Sequence, residues 1–72
     1  MQSRTELECF IKYYNPKGWV GPIMEFDFAP LISEDEFKLI LNGQIPKGRQ
    51  YDKWYVHDAI KSWMDKEGIK HD

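Results

Sequence analysis

Cys9 and His57 are the residues from which a nucleophile and its general base could be assembled, if the fold brought them together. Their settings point elsewhere. Cys9 stands beside Phe10 in a stretch with helical spacing and reads as a small apolar packing group. His57 is followed directly by Asp58, but sequence neighbours rarely aim their side chains at one another, and His71 is too distant to form a site with His57. No Gly-rich phosphate loop and no paired metal ligands occur. The expectation is a protein with no catalytic residue, no cofactor and no metal.

Two other groups carry binding chemistry. In "KGRQYDKWYVHDAI", Lys47 to Ile60, the cations Lys47, Arg49 and Lys53 are interleaved with Tyr51 and Tyr55. Such a run can stack bases on its tyrosines and hold phosphates with its cations. It can equally present aromatic anchors and steering charges to another protein. Trp54 and Val56 in the same run are assigned to the core. The second group is acidic: Glu34, Asp35 and Glu36, which Glu25 and Asp27 could join in space. It could mimic phosphate, dock on a basic groove or take a hard cation, though no loop has the ligand spacing of a calcium site. Eleven aromatic rings are more than a small core readily hides, so Tyr13, Trp19, Tyr51 and Tyr55 are candidates for the surface.

Seventy-two residues make one small domain, here taken as residues 1–72 with 68–72 as a polar tail. With a single cysteine there is no disulfide to staple it, so stability must come from packing, a partner or self-association, and a homodimer is compatible with this size. A lone thiol, an N-terminal stretch without a signal-peptide pattern and no apolar run of about 20 residues give the expectation of a cytoplasmic protein, not a membrane one. The net charge of −2 does not by itself point to nucleic acid. Charge is uneven, however: residues 1–46 hold seven acids and four bases, and residues 47–72 five acids and six bases.

These residues need elements to position them. Ser3 with Glu6 is a capping-box pattern, and Leu7, Phe10, Ile11 and Tyr14 follow at helical spacing, so a helix is expected over 4–14. Met24, Phe26 and Phe28 alternate with Glu25 and Asp27, as in a half-buried strand. Ser33 with Glu36, the buried face Phe37, Ile40 and Leu41, and Gly43 predict a second helix to residue 42. Val56, Ala59, Ile60, Trp63 and Met64 keep helical spacing, so a last helix could start after Asp52. Alternatively "KWYV" is a strand of a hairpin turned at Lys47-Gly48, and the helix starts near Asp58. The strand reading is preferred. The fold expected is α+β, a single small domain of about three helices and a two- or three-stranded antiparallel sheet.

Residues 36–64 resemble excisionase and AlpA-like winged helices. The resemblance rests on Gly43 followed by Ile45-Pro46, the basic stretch Lys47 to Lys53, "WYV", and Ala59-Ile60 with Trp63. It implies a winged-helix-like fold in which the helix over 34–42 reads a DNA groove and Lys47, Arg49 and Lys53 are wing contacts to phosphate. The acids Glu34, Asp35 and Glu36 depart from the basic start of that family's recognition helix. The reading preferred is a non-enzymatic protein-binding regulator, inhibitor or adaptor of phage or mobile-element type. Its partner surface is Lys47, Arg49, Tyr51, Lys53 and Tyr55, with Glu34, Asp35 and Glu36 as a second surface. The alternative is a DNA-binding regulator of the excisionase kind.

Overall fold

The computed structural model describes residues 3–16, 18–21 and 32–71. The described residues form three helices, α1 (Arg4–Lys12), α2 (Glu34–Leu41) and α3 (Trp54–Glu67), and a 3₁₀ turn at Arg49–Asp52 between α2 and α3. Among the described residues there is no strand, so the expected α+β fold with its antiparallel sheet, hairpin and wing is overturned in favour of an all-helical one. The strand expected over Met24 to Phe28 lies outside the described residues.

α1 starts where Ser3 predicts: its hydroxyl accepts the N–H of Glu6 at 3.1 Å. It stops at Lys12, two residues short of expectation, with Tyr13 as its C-cap. α2 has the complete capping box. Ser33 Oγ accepts from Glu36 N–H, and Glu36 Oε1 accepts from Ser33 N–H at 3.0 Å. Such a cap contributes about 1 kcal/mol. At the other end Gly43 N–H and Gln44 N–H donate back to the carbonyls of Ile40 and Leu39, 3.0 and 2.9 Å. This closure needs a left-handed residue, which Gly43 supplies at φ +86°.

α3 begins at Trp54, inside the stretch expected to be a strand. Its N-cap is Lys53, which makes no side-chain cap, and its first turn holds no acid, so the usual marks of a helix start are missing. The helix is held instead by its buried face, Val56, Ala59, Ile60, Trp63 and Met64. That apolar stripe outweighs the strand preference of Trp, Tyr and Val, which is a weak and context-dependent effect. Gly68 ends the helix at φ +74°, and Ile69 N–H donates to the Met64 carbonyl at 2.7 Å.

The core is Leu7 and Ile11 from α1, Tyr14, Ile32, Ile40 from α2, Tyr51 from the 3₁₀ turn and the buried face of α3. Phe37 lies against Trp63 with ring centroids 6.2 Å apart. Tyr14 ties α1 to α3 through its hydroxyl, which donates to Asp58 Oδ2 at 2.6 Å and is 2.8 Å from Ser62 Oγ. The residues after α3 return to the body: Ile69 packs on the core, and His71 Nε2 lies 2.7 Å from Asp65 Oδ1.

Candidate functional site

The loop from Pro46 to Lys53 carries Lys47, Arg49, Tyr51 and Lys53 of the expected partner surface. Gly48 and Arg49 both take positive φ, +89° and +51°, which folds the chain into the 3₁₀ turn. Gly48 N–H donates to Asp52 Oδ1 at 3.2 Å, and Tyr51 N–H to the Gly48 carbonyl at 2.9 Å. The turn drives Tyr51 into the core, where it is 0% exposed. Tyr51, expected at the surface as a partner contact, is thus a core residue. Its hydroxyl stands near the Glu36 carboxylate without a hydrogen bond of good geometry. Burial first, then that carboxylate, push its pKa far above the ordinary phenol value.

Arg49 turns outward and meets Glu36. Its Nη2 is 2.7 Å from both Oε1 and Oε2. Burial raises the Glu36 pKa, but hydrogen bonds from Ser33 and Arg49 outweigh it and hold the carboxyl below its ordinary value. The basic run and the acidic cluster, expected as two surfaces, therefore neutralise each other at one point. Glu34 and Asp35 remain exposed in the first turn of α2.

Lys47 and Lys53 are exposed and Tyr55 is half-buried, packed against the core beneath the Lys53 ammonium, which lies 5.7 Å from its ring centroid. Between them is the residue that sequence reasoning placed inside: Trp54 is 59% exposed, edge-on to Tyr55 with centroids 5.8 Å apart. The signal for this was available. Trp54, Lys61 and Asp65 fall on one stripe of a 3.6-residue helix, opposite Ala59 and Trp63, once the helix is started at residue 54. Trp19 and Tyr13 are also exposed, at 47% and 49%.

Comparison with protein-family models, with curated proteins and with solved structures gives no match.

The residues considered for catalysis are not assembled. Cys9 is exposed beside Glu6, Phe10, Lys66 and Glu67. His57 lies nine residues before Lys66, about 13 Å back along α3. Asp58 is engaged by Tyr14 rather than by a histidine. Among the described residues no group of three or more His, Cys, Asp or Glu converges as a metal site would. None of the described helices is long and apolar enough to cross a membrane.

Proposed function

We propose that the chain is a non-enzymatic protein-binding module of the cytoplasm, a regulator, inhibitor or adaptor, that docks through Trp54 with Lys53 and Tyr55 at its side. The observation that carries this reading is the 59% exposure of Trp54 on the otherwise polar stripe of α3. A large ring left mostly in water at the start of a well-packed helix adds little to the stability of the free protein, and Trp is among the residues enriched as anchors of protein interfaces. Tyr55 packs edge-on against it and restrains the ring from one side, which lowers the ordering cost of binding.

The duplex-binding alternative has less support. The 47–53 segment is a 3₁₀ turn, not a wing, and Arg49 spends its charge on Glu36. Of the other expected phosphate contacts, Lys53 lies over the Tyr55 ring and Lys47 lines a cleft with Lys61.

The test is an affinity capture from the source cell with wild-type protein and Trp54→Ala, each with and without nuclease. The reading expects a protein retained by the wild type after nuclease and lost from Trp54→Ala. Capture indifferent to Trp54→Ala removes this surface, and capture abolished by nuclease favours nucleic acid.

A further inference from the structure

Lys47 and Lys61 come from different elements, the loop after α2 and the middle of α3, yet both line one cleft with Gly43, Gln44, Ile45 and His71. Neither ammonium group has a hydrogen-bond or ion-pair partner among the described residues. Two like charges on one concavity add to its positive potential, which favours a negative group between them.

The cleft is built rather than accidental. One wall is the Gly43–Gln44 closure of α2, and the other is the returning C-terminal segment. The two are so close that a Cβ on Gly43 would collide with the Lys70 carbonyl. His71 is held by Asp65, so that acid is already engaged. The negative end of α2 would ordinarily oppose an anion here. Its Ile40 and Leu39 carbonyls, however, already accept the N–H groups of Gly43 and Gln44.

We propose that this cleft binds a doubly charged oxyanion of phosphate size, held by Lys47 and Lys61, with Gln44 adding an amide to the lining. Lysine serves as a point charge for phosphate, and a dianion matches the two ammonium groups. The site goes beyond the Trp54 surface and can be tested without any partner protein. The phosphate is either free or carried on a side chain, and the same two lysines would meet it.

The experiment follows backbone amide resonances of the full chain during titration with inorganic phosphate, then with a phosphoserine peptide and its unphosphorylated twin. Saturable shifts centred on Gly43, Gln44, Lys47 and Lys61 are expected. Lys47→Gln with Lys61→Gln should weaken phosphate binding about tenfold, in line with two partly exposed charge contacts. Lys38→Gln, on the exposed part of α2, should leave it unchanged. Both cleft lysines are exposed, so the melting curve of the double variant should match the wild type; the single variants serve if it does not. Tighter binding of the phosphopeptide than of free phosphate assigns the site to a carried group, and the reverse assigns it to the free anion. Shifts that do not saturate, binding that survives both substitutions, or an equal loss in Lys38→Gln would overturn the proposal.

Discussion

One guanidinium nitrogen of Arg49, Nη2, stands 2.7 Å from each carboxylate oxygen of Glu36, and Glu36 is also the residue that completes the capping box of α2. The pair links the 3₁₀ turn to the start of a helix thirteen residues earlier. Since the Glu36 pKa is lowered in the fold, its contribution is fully present above the ordinary glutamate pKa and is lost as pH falls through its folded value. The wild type should therefore lose stability below about pH 4.5. Glu36→Gln keeps an acceptor for the cap but not the charge. It should show a lower urea midpoint at pH 7 and a smaller further drop at pH 3. Equal acid sensitivity in both proteins would mean that Glu36 is not the group responsible.

Tyr51 offers a test of the orphaned hydroxyl. An unsatisfied buried hydroxyl carries a desolvation penalty of about 1–3 kcal/mol, so Tyr51→Phe should leave stability unchanged or raise it by up to about 1 kcal/mol. Tyr51→Ala, which empties a fully buried site, should cost about 3–5 kcal/mol. Urea unfolding of the two variants checks both. A loss above about 1 kcal/mol in Tyr51→Phe would show that the hydroxyl has a partner after all.

Local signals explain how much of this fold was legible. Ser33, Glu36 and Gly43 mark the ends of α2 because capping is a matter of a few neighbouring residues. Leu7 and Ile11, and the Val56 to Met64 stripe, were legible from spacing. The start of α3 was not: Lys53 is no cap, and Asp58 imitates one. With the helix begun too late, Trp54 and Tyr51 exchanged places, the first assigned to the core and the second to the surface. Arg49–Glu36 and the cleft shared by Lys47 and Lys61 join residues far apart in sequence, and no local pattern announces such pairings.

Tyr14 should make the protein sensitive to alkali. Burial first, and then its bond to the Asp58 carboxylate, raise its pKa, as burial does for Tyr51. Stability held by the protonated phenols is fully present below their ordinary pKa near 10 and is lost as pH rises through the folded values. Tyr14→Phe removes the bonds to Asp58 and Ser62 and should cost about 1–2 kcal/mol at pH 7. It should also lose less than the wild type between pH 9 and pH 11. A parallel decline would place the alkaline sensitivity elsewhere.

Gly43 and Gly68 separate conformational strain from steric collision. Both have positive φ, +86° and +74°. A Cβ on Gly68 meets nothing within 4 Å, so Gly68→Ala should cost only the left-handed penalty of about 1–2 kcal/mol. A Cβ on Gly43 meets the Lys70 carbonyl, so Gly43→Ala pays that penalty and must also push the C-terminal segment away. It should be the more destabilising variant in urea, and the His71 ring resonances should shift in Gly43→Ala alone. Equal costs and an unmoved His71 would mean that residues 69–71 do not rest on the α2 cap.

Trp54 and Trp63 lie nine positions apart on α3 with opposite surroundings, 59% and 1% exposed. Trp63→Ala removes the largest buried side chain and its contact with Phe37, at a cost of about 3–5 kcal/mol. In a domain of 72 residues that should abolish the cooperative melt. Trp54→Ala should change stability by no more than about 0.5 kcal/mol. Acrylamide quenching checks the placement independently of folding. In a Trp19→Phe background the Trp54 emission should be quenched and that of Trp63 protected, and Trp54→Phe should leave only the protected component. If Trp54→Ala unfolds the protein, the ring is a core element and the docking role falls. If it melts like the wild type, a loss of partner can be assigned to the missing ring itself.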